Sequence, residues 1–357
     1  MGILIDPGFW RGRRVLLTGH TGFVGGWTAL WLEQMGAHVT GLALPPEGEP
    51  SLFELLSPWP ELDHRVADLR DPASLARAVS EVDPQVVFHM AAQALVPRSY
   101  RHPLDTLATN VMGTAHLLDA LRGLEDLGAV LVITSDKVYL NHERALPFGE
   151  GDPLGGHDPY SASKAAQEHV ALSFGRSFLA GRGVALATSR AGNLIGGGDW
   201  GADRLIPDLW RAARDGRAAR LRIPEARRPW LHVLDAVTGY LAFAQRLADS
   251  APGRLPSALN LGPREETSLT VGELATRFLD ALDAPAGWEQ APGDHPPEKR
   301  TLALDSTLAG ATLGWRPLLD AEAVLGWTVD WYRAHADGED MRTFSQGQIA
   351  RLLEGAG

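Results

Sequence analysis

The sequence contains no cysteine. That absence excludes disulfides, zinc–thiolate centres, iron–sulfur clusters and thiol nucleophiles together. The twelve histidines do not offset it, because none falls in an H-E-x-x-H or comparable ligand spacing, so no metal site is expected. No apolar run approaches the roughly 20 residues that a membrane-spanning helix needs. Met1 to Trp10 lacks a basic region followed by an apolar stretch, which argues against a signal peptide. Gly2 is followed by Asp6 where a myristoylation pattern wants Ser or Thr. Positive charge is also short: 33 Lys and Arg stand against 44 Asp and Glu, a formal net charge of −11. Such a chain has no global attraction for nucleic acid or an anionic membrane, and a polyanionic ligand must meet a local basic patch. No internal repeat or low-complexity linker interrupts the sequence. A soluble cytoplasmic protein is the expectation.

What is present is an ordinary globular balance, 45% apolar and 22% charged over 357 residues, enough for one large domain or two. Val15-Leu16-Leu17-Thr18 reads as a buried strand, and residues 23–35 follow with Phe23, Trp27, Leu30 and Trp31 at helical spacing before Gly36. His38 to Leu44, Val86 to His89 and Val130 to Ile133 read as further strands. Helical segments near 72–82 and 104–122 lie between them, and a helix near 160–180 with a strand from Val184 to Thr188 continues the series. Strand and helix in steady rotation predict an α/β fold with a doubly wound parallel sheet. After residue 190 the rhythm breaks into Gly- and Pro-rich stretches, which suggests a smaller region laid over the strand ends.

The first strand runs directly into Gly19-His20-Thr21-Gly22-Phe23-Val24-Gly25, a G-x-x-G-x-x-G loop opening a helix. Glycines let backbone amides approach a pyrophosphate, and the helix N-terminus adds free N–H groups and partial positive charge. The plain alternative is an ordinary turn. A loop of this kind usually pairs with an acid at the end of the second strand that reads a ribose 2′-hydroxyl. Here Gly41-Leu42-Ala43-Leu44 supplies neither an acid nor an Arg or Lys for a 2′-phosphate. NAD is therefore favoured over NADP, and weaker retention of NAD is expected. Asp68-Leu69, past a short strand, is either an adenine contact or a helix cap before Pro72. His89-Met90-Ala91-Ala92 ends a strand with small residues, so Ala91 and Ala92 let a cofactor lie against the backbone.

Tyr160-Ser161-Ala162-Ser163-Lys164 places a phenol and an ammonium on one helix face. The lysine is expected to lower the tyrosine pKa and to hold a ribose, leaving the phenol to take a proton from a sugar hydroxyl. Thr134-Ser135-Asp136-Lys137 falls where a strand of the sheet ends, which is where ligands bind in such folds. The plain alternatives are a surface i, i+4 pair and a surface Asp–Lys pair.

Together, the glycine loop, His89-x-Ala91-Ala92, Ser135 and Tyr160-x-x-x-Lys164 resemble the extended short-chain dehydrogenases that act on nucleotide sugars, over nearly the whole chain. Longer strings narrow the likeness: Thr18-Gly19-His20-Thr21-Gly22-Phe23, Pro50-Ser51-Leu52-Phe53-Glu54, Thr134-Ser135-Asp136-Lys137, Arg190 to Trp200, and Arg228-Pro229-Trp230-Leu231-His232-Val233 are similar to the CDP-glucose 4,6-dehydratase subgroup. The resemblance implies the following roles. Tyr160 takes the 4-hydroxyl proton while hydride passes to NAD, and Ser135 bonds the same oxygen. A base removes the C5 proton, Asp136 protonates the departing 6-hydroxyl, and hydride returns to C6. Lys137 is either that base, provided it is neutral, or only an orienter of Asp136. Arg228 is implied as a diphosphate ligand, Asn193 and Asn260 as amide contacts, and Arg204 and Arg300 as softer candidates. Val24 and Pro97 depart from the family, which more often has basic residues there. The resemblance also implies a homodimer formed through helices 104–122 and 158–178. It implies a Rossmann domain of residues 1–188 plus about 231–262, interleaved with a nucleotide-sugar domain of about 189–230 plus 263–357. Two other readings compete: an epimerase or reductase using the same NAD site on a CDP-sugar or another nucleotide sugar, and a non-catalytic NAD sensor.

Overall fold

The computed structural model describes residues 5–144, 146–264, 269–293 and 301–355. The apolar runs become strands β1 (Arg14–Thr18), β2 (His38–Ala43), β3 (Leu62–Val66), β4 (Val86–His89), β5 (Ala129–Ile133) and β6 (Ala185–Ala191). Three short strands follow, β7 (Asn193–Ile195), β8 (Ala219–Leu221) and β9 (Trp230–His232); then come β10 (Ala258–Leu261) and β11 (Trp288–Gln290). Seven of these form one sheet in the order β10-β6-β5-β4-β1-β2-β3, with every neighbouring pair parallel. This is the Rossmann arrangement. The chain winds outward one way from β1 and the other way from β4, so a crevice opens between their carboxyl ends, where Thr18 lies opposite His89.

Both faces of the sheet are covered, which explains why its central strands read as unbroken apolar runs. Alternation within β1 sends Val15 and Leu17 to one face and Leu16 to the other. On the first face Trp27, Trp31, Tyr240 and Phe243 pack from helices Phe23–Gln34 and Val233–Ala248. On the second, Leu75, Val79, Leu117 and Leu118 pack from helices Pro72–Val82 and Gly113–Ala120. Each such side chain contributes about 1.5–3 kcal/mol by leaving water.

Two helices differ from the sequence expectation in their interior. The 104–122 segment is helical from Pro103 to Gly123 but carries a π turn at Ala108–Met112. That turn accompanies a buried Asn110, whose amide bonds Gln93 and Ser163. The 160–180 segment is the helix Pro159–Phe174 followed by a second π turn, Gly175–Leu179. Asp158 caps it by accepting from the Ser161 amide, and Pro159 occupies its first position, so Tyr160 stands in the first turn.

Past β6 the chain builds two small parallel pairs, β7 with β9 and β8 with β11, and returns to the main sheet only at β10. Among the described residues no helix is long and apolar enough to cross a membrane.

Candidate active site

The glycine loop fits the diphosphate of a dinucleotide. Gly19 has φ +81°, and a Cβ there would meet the Ala91 amide nitrogen at 2.7 Å. A Cβ on Gly25 would lie 2.1 Å from the Gly19 carbonyl oxygen, so the helix start is pressed against the loop. Gly22 is the N-cap, exposed, and no side chain caps the helix beginning at Phe23. The first-turn amides of Phe23, Val24 and Gly25 are thus presented to an anion. Thr21 binds the Leu44 carbonyl oxygen across the loop at 3.0 Å.

Near the end of β2, where an acid is usual, the His20 ring packs over Gly41; a Cβ on Gly41 would come within 2.4 Å of it. His20 Nε2 lies 2.6 Å from His64 Nδ1, and Phe53 packs against both rings. Burial, and then His64, lower the His20 pKa to about 4. Asp68 is engaged by Arg70 through both carboxylate oxygens, which lowers its pKa. The cap before Pro72 is Asp71, not Asp68. Leu69 is buried in the second core, and Ala91 donates its amide N–H to Thr18 Oγ1 at 3.2 Å.

Next to this loop a cavity of about 410 Å³ opens at the strand ends. It is lined by Val24, Ala92, Ser135, Asp136, Lys137, Tyr160, Lys164, Asn193, Arg204 and Arg228. The strand–turn–helix run from β5 to helix Pro159–Phe174 explains the convergence. Ser135 caps the short turn Asp136–Val138, accepting from the Lys137 amide at 3.2 Å and donating to Asp136 Oδ1 at 2.9 Å. The Tyr160 phenol faces the same serine. Asp136 is only 3% exposed. Burial raises its pKa, against the opposing pull of Lys137, the Ser135 hydrogen bond and Arg228. A carboxyl held toward its neutral form beside a sugar-sized cavity is suited to giving a proton away.

The expectation that Lys164 lowers the Tyr160 pKa needs correction. Burial dominates and pushes the phenol up to about 12, while the opposing influences are Ser135 and the Arg204 cation. Lys164 is turned to other partners, donating to the Ile133 carbonyl at 3.0 Å and to Gln167 Oε1 at 2.5 Å. Its own pKa falls to about 7 through burial, with Glu168 opposing.

On the substrate side, the parallel pairing of β7 with β9 sets Asn193 opposite Trp230, two residues after Arg228. Asn193 and Arg228 line both this cavity and an adjoining one of about 430 Å³, which also share Asp136 and Lys137. Arg204 Nε is 2.6 Å from Asp199 Oδ2, so its charge is partly met within the protein. Asn260 does not reach either cavity. It is fully buried on β10, where Oδ1 accepts from the Tyr139 hydroxyl at 2.6 Å and Nδ2 donates to the Phe148 and Asp305 carbonyls. Its hydrogen-bonding capacity is spent on the framework, so it is a structural residue and not an amide contact for substrate. Arg300 lies outside the described residues.

Two cations went unread in the sequence. Arg220 and Arg222 line the first cavity, Arg220 also pairing with Glu289 at 3.1 Å. Arg220 lies in the strand Ala219–Leu221 and Arg222 directly follows it, and that strand is too short for its faces to be read from sequence periodicity.

The sequence profile of the NAD dependent epimerase/dehydratase family matches residues 15–262. A CDP-glucose 4,6-dehydratase of Salmonella typhimurium is 43% identical over 355 residues, covering 98% of this chain and 99% of that one. The crystal structure of DesIV, a dTDP-glucose 4,6-dehydratase from Streptomyces venezuelae with NAD bound, superposes with a TM-score of 0.77 at 26% identity, over 92% of this chain and 99% of its own. The epimerase Mth375 of Methanothermobacter thermautotrophicus reaches a TM-score of 0.82 over 96% and 98%, but at 23% identity it speaks for the fold alone. With the profile spanning most of the chain and a relative matched end to end, this protein belongs to the NAD dependent epimerase/dehydratase family.

Proposed function

We propose that this protein is an NAD-dependent hydro-lyase that converts CDP-glucose to CDP-4-keto-6-deoxyglucose. The observation that carries the reading is the buried Asp136 carboxyl, biased toward its acid form and hydrogen-bonded to the serine that Tyr160 faces. An epimerase has no leaving group to protonate and no use for such an acid. A cofactor sensor needs neither the acid nor the phenol. The 43% identity to a CDP-glucose 4,6-dehydratase supports the same choice.

The glycine loop from Gly19 to Gly25 and, at the cavity, Lys164 would hold NAD, which would supply the acceptor and donor of hydride for C4 and C6 and a positive charge favouring ionisation of the phenol. The remaining chemistry belongs to the chain. Tyr160 takes the proton of the sugar 4-hydroxyl, and Ser135 holds that oxygen as it becomes a ketone. The ketone acidifies the C5 proton, which Lys137 removes and, after exchange with solvent, returns to C5 once hydride has reached C6. Asp136 delivers a proton to the 6-hydroxyl, so that water leaves C6. Arg228, Arg204 and Asn193 hold the diphosphate end, with Arg220 and Arg222 extending the cationic lining. We assign residues 1–188 with about 231–262 to the NAD-binding domain, and about 189–230 with 263–357 to the nucleotide-sugar domain.

The enzyme is proposed to act as a cytoplasmic homodimer. Leu104, Leu107 and Met112 are exposed on the segment 103–123, and Phe178 on the segment 159–182, an unusual set of apolar side chains for a free surface.

The test is turnover with CDP-, dTDP-, UDP- and GDP-glucose and added NAD. A keto-deoxy product from CDP-glucose in preference to the others supports the proposal. A C4 epimer, or no product from any of the four, contradicts it.

A further inference from the structure

We propose that Gln167 is a positioning residue for the catalytic lysine, tying Lys164 through Thr114 and His89 to Thr18 at the root of the glycine loop. Gln167 is fully buried, one turn after Lys164 on the same helix. Its Oε1 accepts from Lys164 Nζ at 2.5 Å, and its Nε2 donates to Thr114 Oγ1 at 2.8 Å. Thr114 in turn donates to the Asn110 carbonyl at 2.7 Å. With its only proton spent there, Thr114 accepts from His89 Nε2, 2.8 Å away. His89 Nδ1 is then left to accept from the Thr18 hydroxyl at 2.7 Å, and Thr18 Oγ1 accepts the amide N–H groups of Met90 and Ala91, each at 3.2 Å.

The chain of bonds admits one consistent arrangement: a neutral His89 protonated at Nε2, and a Gln167 amide with its oxygen toward the lysine. The burial of His89, whose pKa is lowered to about 3, agrees with the neutral ring. The network is not a proton exit. It ends on backbone amides and a backbone carbonyl, and a carboxamide is a poor proton carrier. What it does is fix geometry. Two donors of the Lys164 ammonium are committed to Ile133 and Gln167, while the side chain lines the reaction cavity. The same bonds join helix Pro159–Phe174 to the ends of β1 and β4, so the lysine and the cofactor loop share one rigid support.

The charged and titratable groups around Lys164 are Tyr160 and Glu168 on its own helix, and His89 from β4. Asp136 and Lys137 line the same cavity beyond β5, and Arg190 acts from β6 through its pair with Glu168. Within that set Gln167 supplies a neutral acceptor in direct contact with Nζ, which favours the ammonium.

The sequence makes the test direct, because the chain has three lysines, Lys137, Lys164 and Lys299. Protein grown on lysine carrying 13C at Cε gives three side-chain signals, assigned with Lys137→Arg and Lys299→Arg. Lys164 should titrate near 7. In Gln167→Leu its midpoint should fall, and in Gln167→Glu a carboxylate at the same place should raise it by about 1–3 pH units. Turnover should drop on the order of 10²-fold in the leucine variant, the cost of a lysine displaced by about 1 Å, and recover in part in the glutamate variant. The assignment of Lys164 to catalysis rests on the dehydratase reading, but the titration does not. A Lys164 midpoint unmoved in Gln167→Glu, or a midpoint that moves without any change in turnover, overturns the proposal. If the leucine variant does not fold, the glutamate titration still decides.

Discussion

At the scale of single residues, the site separates groups that were legible from groups that were not. Tyr160, Lys164, Ser135 and Asp136 sit in short strings whose chemistry depends on spacing along one helix or at one strand end, and spacing is what a sequence displays. Gln167 was silent, because its partner Thr114 is 53 residues away in the chain. Asn260 misled for the opposite reason: the residue type suits a ligand, but on the buried edge strand β10 its amide is taken up by the Phe148 and Asp305 carbonyls. Two outcomes follow for the reacting groups. Tyr160→Phe should reduce kcat by about 10²–10⁴-fold, the usual worth of a general base, with the unfolding midpoint little changed. Asp136→Asn should keep oxidation at C4 but lose water elimination. In that variant reduced-cofactor absorbance should rise on adding CDP-glucose while keto-deoxy product stays at background. Loss of both signals together would place Asp136 in substrate binding instead. Because burial raises the Asp136 pKa, wild-type elimination should weaken as pH climbs through that raised value, at a pH above the ordinary carboxylate range.

At the scale of elements, order and type were readable from apolar periodicity, whereas interruptions within helices were not. The π turns at Ala108–Met112 and Gly175–Leu179 lie in segments whose residues read as continuous helix. Beneath the site, helix Pro159–Phe174 is fastened to β6 by Glu168 and Arg190, both almost fully buried, with Arg190 Nη2 2.8 Å from Glu168 Oε2. Thr134 and Thr188 donate to the same carboxylate, and Arg190 also donates to the Tyr139 hydroxyl. Arg190→Leu leaves that carboxylate buried without its cation and should cost about 3–5 kcal/mol in chemical denaturation. A cost under about 1 kcal/mol would mean that the hydroxyl donors alone suffice. On the outer surface, Leu104→Glu combined with Met112→Glu should convert the proposed dimer to monomer in light scattering, since both side chains are exposed in the single chain.

At the scale of the whole molecule, the doubly wound sheet was legible, and the later small strand pairs were not, because strands of three residues carry no usable periodicity. Buried titratable groups set how the fold responds to acid. His20, His89 and His232 are held near 4, 3 and 3, all mainly by burial. Unfolded, each would bind a proton below about 6.5. The unfolded chain therefore binds more protons in that range, and stability falls as pH drops from about 6.5 toward 4, by about 1.4 kcal/mol per pH unit for each histidine. Asp235 acts the other way: burial raises it to about 7, so it favours the folded state as pH falls through the same window. Asp136, Glu150 and Asp208 are raised by burial in the same sense as Asp235, so the histidine contribution is isolated by substitution: the drop in thermal midpoint between pH 6.5 and 4.5 should be smaller in His232→Asn, which keeps a helix-capping side chain, than in the parent protein.

The proposed dehydration requires a phenol, a carboxylic acid and a bound dinucleotide to meet around one hexose. It is tested most directly by the product formed from CDP-glucose and NAD in D₂O. Mass spectrometry and NMR should show a sugar that has lost one water, carries one solvent deuterium at C5, and bears a methyl group at C6 beside a ketone at C4. A product of unchanged oxygen content, or one with no deuterium at C5, would contradict it.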